Sequence, residues 1–305
     1  MKAVIIGANS YIARNFVRSL DGREDLELSL YDAQAESADG RENYKTVNMA
    51  DPEGTGVLDL HCDVVYMFVG KTGSANGFDD PELFIRVNEL TLLNLLNEYR
   101  RQNSAAKIIF PSTRLVYSGK KGPQKEDAEK EAKTIYAANK LACERYLNMY
   151  HNVFGVRYAI VRICIPYGSL IPGVSSYGTA EFMMRKADAG ENISLYGEGS
   201  SRRTLTYIGD LCELLYRVGE SSLCENDVYN IGGEDYSLKE MAELIAQAKN
   251  VKTEFVPWPE VAERIESGDT VFDSEKLEKA VGGFTYRRFA DWVSGNTAAV
   301  SGKGE

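Results

Sequence analysis

Five short runs rich in valine and isoleucine constrain this chain most: Val4–Ile6, Leu26–Leu30, Val64–Val69, Lys107–Phe110 and Ala159–Ile163. They lack the in–out alternation of a half-solvated strand, so they fit a parallel sheet buried on both faces. Between them, Ile12–Leu20, Pro81–Arg101 and Thr134–Tyr150 carry apolar residues at three-to-four spacing, as amphipathic helices do. Strand and helix in alternation imply right-handed βαβ units, and hence an α/β fold with a doubly wound parallel sheet.

The rhythm loosens after about residue 165. Pro166–Gly178 is rich in Gly, Pro and Ser and reads as a long loop that shapes a site. Helical patterns follow at Ala180–Asp188, Asp210–Val218 and Leu238–Lys249, and the small, polar stretch Thr297–Glu305 is expected to fray. We therefore expect a first domain over 1–165, a smaller α/β region over 166–296 from which the chain can cross back, and a flexible tail over 297–305. The length of 305 residues is ample for both cores.

With 35 basic and 45 acidic residues the net charge is -10, which disfavours nucleic acid and anionic membranes as partners. No apolar run is long enough to span a membrane, and the opening Lys2-Ala3-Val4-Ile5-Ile6-Gly7 has the pattern of a strand, not of a secretory leader. The cysteines at 62, 143, 164, 212 and 224 are scattered singly, as in reduced cytosolic proteins, so a cytoplasmic location is expected. His61 and His151 fall in no zinc spacing, and no metal site is expected.

Gly7-Ala8-Asn9-Ser10-Tyr11-Ile12-Ala13 joins the first strand to the first helix. Such a turn aims backbone N–H groups and the positive helix end at a pyrophosphate. The spacing fits Gly-x-x-Gly-x-x-Gly, with Ser10 and Ala13 in the second and third places. Asp32 ends the second strand, where a carboxylate accepts from both adenosine ribose hydroxyls and repels a 2′-phosphate, favouring NAD over NADP. Tyr136 and Lys140 are four apart on one helix face, and a nearby ammonium lowers a phenol's pKa toward neutrality. Ser112 and Thr113 end the preceding strand, and Thr113 is placed to hold the reacting oxygen between tyrosine and cofactor.

These motifs, with Asp63 to Gly70, Asn88, Ser112 to Tyr117, Arg162 to Gly168, Gly197 to Asp210 and Tyr229 to Gly232, occur in an order that resembles the extended short-chain dehydrogenase/reductase family, in its nucleotide-sugar epimerase/dehydratase branch. The resemblance runs from Met1 to about residue 295. It implies a Rossmann domain followed by a substrate-binding region, with Thr113, Tyr136 and Lys140 as catalytic residues. NAD would lie along Gly7, Asn9, Ser10, Tyr11, Ile12, Asp32, Asn48, Met49, Phe68, Val69, Gly70, Lys71, Asn88, Tyr136 and Lys140. The substrate would meet Thr113, Arg114, Ile165 and Arg203, the last gripping a phosphate. The resemblance also implies a homodimer paired through the helices that include Thr134–Tyr150.

The departures from the family pattern narrow the chemistry. Arg114 and Leu115 stand where 4,6-dehydratases carry an acidic pair, so dehydration is disfavoured. Arg114 also replaces the cysteine of the 3,5-epimerase/reductases. Ile165 replaces a diphosphate-contacting asparagine, Thr204 a usual aspartate and Met67 a frequent histidine. The leading expectation is an NAD-dependent nucleotide-sugar epimerase oxidising C4. The alternatives are a 4-ketoreductase using NADH or NADPH and, from another class, a non-catalytic dinucleotide sensor.

Overall fold

The computed structural model describes residues 1–301 apart from Ser74 and Tyr177, with side chains described as far as residue 295. In the first half, β1 (Lys2–Ile6), α1 (Tyr11–Ser19), β2 (Glu27–Asp32), β3 (Tyr44–Thr46) and β4 (Val64–Met67) lead to α2 (Pro81–Ile85) and α3 (Thr91–Arg101). Next come β5 (Lys107–Thr113), β6 (Pro123–Gln124), α4 (Ile135–Phe154), β7 (Arg157–Ile163) and β8 (Ile165–Tyr167). The second half continues with α5 (Thr179–Asp188), β9 (Ile193–Tyr196), β10 (Arg202–Tyr207), α6 (Ile208–Glu220), β11 (Asp227–Asn230) and β12 (Glu234–Ser237). It closes with α7 (Leu238–Lys249), β13 (Thr253–Val256), α8 (Glu260–Ile265), β14 (Val271–Phe272), α9 (Glu275–Val281) and α10 (Phe289–Ser301).

Seven parallel strands form the main sheet in the order β3-β2-β1-β4-β5-β7-β11. The order reverses between β1 and β4, and the crevice beyond their carboxyl ends is where doubly wound sheets bind ligands. The inner strands β1, β4, β5 and β7 are buried on both sides. Ala3, Ile5, Tyr66, Ile109 and Val161 pack with Phe16 of α1 and Leu211 and Leu215 of α6. Val4, Ile6, Val65, Ile108 and Ile160 pack with Leu92, Leu95, Cys143 and Leu147 of α3 and α4 on the other side. That double burial is why the runs in the sequence show no alternation.

A third core, from Ile165, Tyr167, Met183, Leu195, Leu205, Met241, Ile245 and Phe289, lies in the second half of the chain. There β8, β10 and β12 form one small sheet, and β9 pairs with β13. The chain does cross back: β11 completes the main sheet, and β14 pairs with β6 just ahead of α4. The stretch read as a loop from Pro166 begins inside β8. Residues 297–301, expected to fray, continue α10, and 302–305 lie outside the described residues. No described helix is long and apolar enough to cross a membrane.

Candidate active site

The β1–α1 turn closes against the loop after β4. Gly7 has φ +85°, and a Cβ on it would stand 2.7 Å from the Val69 nitrogen and 2.8 Å from the Phe68 carbonyl carbon, so only glycine fits. The Gly7 and Ala8 N–H groups donate to the Tyr31 carbonyl, and the Asn9 N–H donates to Asp32 Oδ2 at 3.0 Å. Asp32 thereby stands at the tip of β2 beside the turn. Ser10, the residue before α1, has a buried hydroxyl with no partner among the described residues. An orphaned donor at a helix N-terminus is what a pyrophosphate would satisfy, so this turn fits a dinucleotide.

Other residues read as cofactor contacts act through backbone or sit deeper. The Asn9 amide is taken up by Gln34, Glu36, Tyr44 and Ala38, stapling the loop after β2. The Tyr11 hydroxyl donates to the Gly168 carbonyl, tying α1 to the second half of the chain. Ile12 is partly buried against the core. Met49 is buried in the core, and Asn48 is exposed beside it. Phe68 stacks on Tyr66 inside the sheet, with ring centroids 6.0 Å apart, while Val69 packs on the opposite core. Asn88 is turned to the loop after β4. Its amide accepts from the Lys71 N–H at 2.8 Å and donates to the Lys71 carbonyl at 3.1 Å, so it braces the strand-end loop. The same amide reaches Asn139 on α4. Asn88 lies in a π-helical turn, Arg86–Leu90, between α2 and α3, a distortion helical periodicity does not announce.

Thr113, Tyr136 and Lys140 meet at the carboxyl end of β5. The Thr113 hydroxyl faces the Tyr136 phenol and favours its ionised form. Lys140 donates to the Pro111 carbonyl at 2.8 Å, and its ammonium lies 6.0 Å from the Tyr136 ring centroid. A Cβ on Gly70 would stand 3.7 Å from that ammonium, which brings the loop after β4 to the same spot. Thr134 caps α4 by accepting from the Ala137 N–H, which fixes where the tyrosine emerges. Burial pushes Lys140 down to about 8, partly offset by Cys143 and Glu144. Burial pushes Tyr136 up to about 12, partly offset by Thr113. The expected lowering of the phenol is absent here because desolvation outweighs it and the ammonium is one ring away.

The residues expected to meet the substrate divide. Ile165 is buried in the third core. Arg203 is 1% exposed, with Nη1 donating to the carbonyls of Arg202 and Gly268 and Nη2 paired with Glu266 at 2.5 Å. Those donors are engaged within the fold, where the sequence reading had a phosphate. Arg114 is partly exposed, and its Nη1 reaches the hydroxyls of Ser267 at 3.1 Å and Thr270 at 3.4 Å.

The family profile that matches residues 3–232 is that of the NAD dependent epimerase/dehydratase family. The chain belongs to that family. It is 25% identical to a UDP-glucose 4-epimerase of Mycolicibacterium smegmatis over 81% of this chain and 82% of the relative. It is 26% identical to a dTDP-4-dehydro-6-deoxy-D-allose reductase of a Streptomyces species over 79% of each. The solved UDP-glucose 4-epimerase of Thermus thermophilus, in complex with NAD, superposes with a TM-score of 0.84 at 24% identity over 99% of both chains. This epimerase/dehydratase is thus an NAD-dependent enzyme of the extended short-chain dehydrogenase type.

Sequence reading missed a buried network behind the catalytic strand of this epimerase/dehydratase. Ser112 donates to Glu144 at 2.6 Å, Arg162 grips both oxygens of Glu144, and Tyr117 links Arg162 to Asn230. A signal for it existed: Glu144 is one further helical turn along the face that carries Tyr136 and Lys140. No comparable signal pointed to Ser267 and Thr270, which reach the site from a turn-rich stretch more than a hundred residues away in sequence.

Proposed function

We propose that this enzyme epimerises the sugar of a nucleotide sugar by transient oxidation at C4. One observation carries the reading: Thr113 and Tyr136 face each other at the end of β5, with the buried Lys140 one helical turn on and bonded to the Pro111 carbonyl. Thr113 would hold the ring hydroxyl, and Tyr136 Oη would take its proton. Lys140, largely ammonium below its pKa of about 8, would stabilise the phenolate form of Tyr136 that accepts this proton. NAD, when bound, would supply the hydride acceptor in its oxidised form and the donor back to the keto carbon in its reduced form. Arg114 and Leu115, in place of an acidic pair, support epimerisation over loss of water.

The test is to denature freshly purified protein, identify released dinucleotide by mass spectrometry, and assay isomerisation of nucleotide sugars. Near-stoichiometric NAD+ and loss of turnover in Tyr136→Phe with cofactor retained are expected. Full activity in that variant would sink the role. The engagement of Arg203 by Glu266 and the reductase relative favour a second reading, a 4-ketoreductase. An empty protein that binds added NADH or NADPH weakly and reduces keto sugars would select it.

The same proposal includes a cytosolic homodimer. Its five cysteines are free, which suits a reducing compartment. Met149, Val153 and Phe154 are exposed on α4, with Ile85 and Leu90 exposed on the adjoining helical stretch. Sedimentation that shows a monomer, or a dimer indifferent to Val153→Glu, would refute pairing through α4.

A further inference from the structure

Arg114 is a desolvated charge without a counter-ion. Among the described residues its hydrogen bonds go only from Nη1, and only to the neutral hydroxyls of Ser267 and Thr270. The nearby carboxylate of Glu266 is paired with Arg203 and accepts from the Gly268 N–H through the same oxygen. Arg203 adds a second positive charge next to the first. Burial, and then Arg203, pull Arg114 down to about 10, so the surroundings disfavour its charge. A guanidinium nevertheless stays protonated at neutral pH, and an uncompensated buried charge is costly.

Its Nε and Nη2 have no partner among the described residues, and the residue as a whole is only partly buried. Strongly desolvated but reachable is the condition of a side chain on a cleft floor, and Tyr136 shares it. Nε and Nη2 together make one edge of the planar fork, the edge that takes a carboxylate through two parallel hydrogen bonds. Arg114 directly follows Thr113, so their Cα atoms are about 3.8 Å apart. A sugar held by Thr113 is therefore within reach of a side chain as long as that of its neighbour.

We propose that Arg114 docks a carboxylate carried by the sugar ring, so that the substrate is a nucleotide-linked uronic acid or another carboxylated sugar. This rests on the nucleotide-sugar reading above and adds to it the charge of the sugar. The pairing neutralises Arg114 only when substrate is bound, which makes the carboxylate a requirement for tight binding, since a neutral hydroxymethyl group leaves the charge unmet.

The experiment first ranks UDP, dTDP, GDP and CDP by thermal shift on the holoenzyme. The glucose and glucuronate conjugates of the best binder are then compared by kcat/KM and by reduction of bound NAD+. The glucuronate conjugate is expected to be preferred by about 10- to 100-fold, and Arg114→Ala to abolish the preference. Arg114→Lys, with charge but no fork, is expected to recover part of it. Because the readout is a ratio, a general loss of folded enzyme does not move it. Preference for the glucose conjugate would overturn the proposal. So would an intact ratio in Arg114→Ala with weakened binding of the bare diphosphate, which would place the arginine on phosphate. If no diphosphate binds and no conjugate reduces NAD+, the nucleotide-sugar reading itself falls, and the carboxylate falls with it.

Discussion

Glu144 holds Arg162 by two hydrogen bonds, of 3.0 Å from Nε and 2.6 Å from Nη2, inside the protein and one helical turn beyond Lys140. Both side chains are almost fully buried, at 6% and 3% exposure. The pair ties α4, which carries Tyr136 and Lys140, to β7, and through Ser112 to the end of β5 that carries Thr113. Removing one member strands the other as a buried charge. Glu144→Ala is expected to lose about 3–5 kcal/mol in urea unfolding, and replacing both Glu144 and Arg162 by apolar residues to lose much less. Equal losses would mean the ionic pairing is not what the site depends on.

Lys140 gives a stability that depends on pH in a direction set by its lowered pKa. In the folded protein it titrates at about 8, below its ordinary value of 10.5. Between those two values the unfolded chain binds more protons, so stability rises with pH across that window. Below pH 8 the buried ammonium carries its full penalty, on the order of 3 kcal/mol for a shift of this size. Lys140→Met is expected to lose activity at every pH and to melt higher than the parent at pH 7. The two melting curves should converge toward pH 10.5. A Met variant that is less stable at pH 7 would show that the bond to the Pro111 carbonyl outweighs desolvation.

Glu181 gives the opposite slope. It sits in the first turn of α5, and Oε1 accepts from the Gly168 N–H while buried Oε2 has no partner among the described residues. Burial raises its carboxyl to about 7 from 4.5. The folded state therefore holds the extra proton between those values, and stability falls as pH rises through them. Glu181→Gln keeps an acceptor for Gly168 and removes the titration. It is expected to match the parent near pH 4.5 and to exceed it by on the order of 3 kcal/mol at pH 8. Parallel pH profiles would show that Glu181 is ionised throughout.

The parts of this molecule legible in the sequence are those built from local repetition. Val4–Ile6 and Val64–Val69 announced buried parallel strands because both faces of each strand meet helices, and Tyr136 and Lys140 share a face through helix geometry alone. Gly7 was legible because a turn this tight admits no side chain. Arg203 marks a physical limit of such reading. Its motif says what a guanidinium can hold, whereas Glu266, sixty-odd residues on, decides what it does hold. Asn88 is similar: the π-helical turn aims its amide at the Lys71 backbone, and nothing in the local pattern reveals that aim. Pairings between distant turns are fixed by the tertiary fold and leave no period to read.

Gly7 offers the sharpest separation of cofactor site from general stability. A Cβ there would press on the Val69 nitrogen at 2.7 Å and the Phe68 carbonyl carbon at 2.8 Å, both backbone atoms that cannot rotate away. Its φ of +85° adds strain of about 1–2 kcal/mol for any residue with a side chain. Gly22 shares the strain, with φ +86°, but has nothing within 4 Å of an added Cβ. Gly22→Ala is therefore expected to lose about 1 kcal/mol and to copurify with as much NAD as the parent. Gly7→Ala is expected to lose more stability and most of the bound NAD, because the loop after β4 must retreat from the turn. Equal NAD content in the two variants, measured per folded protein after denaturation, would show that the close approach of β1 and β4 does not form the dinucleotide site.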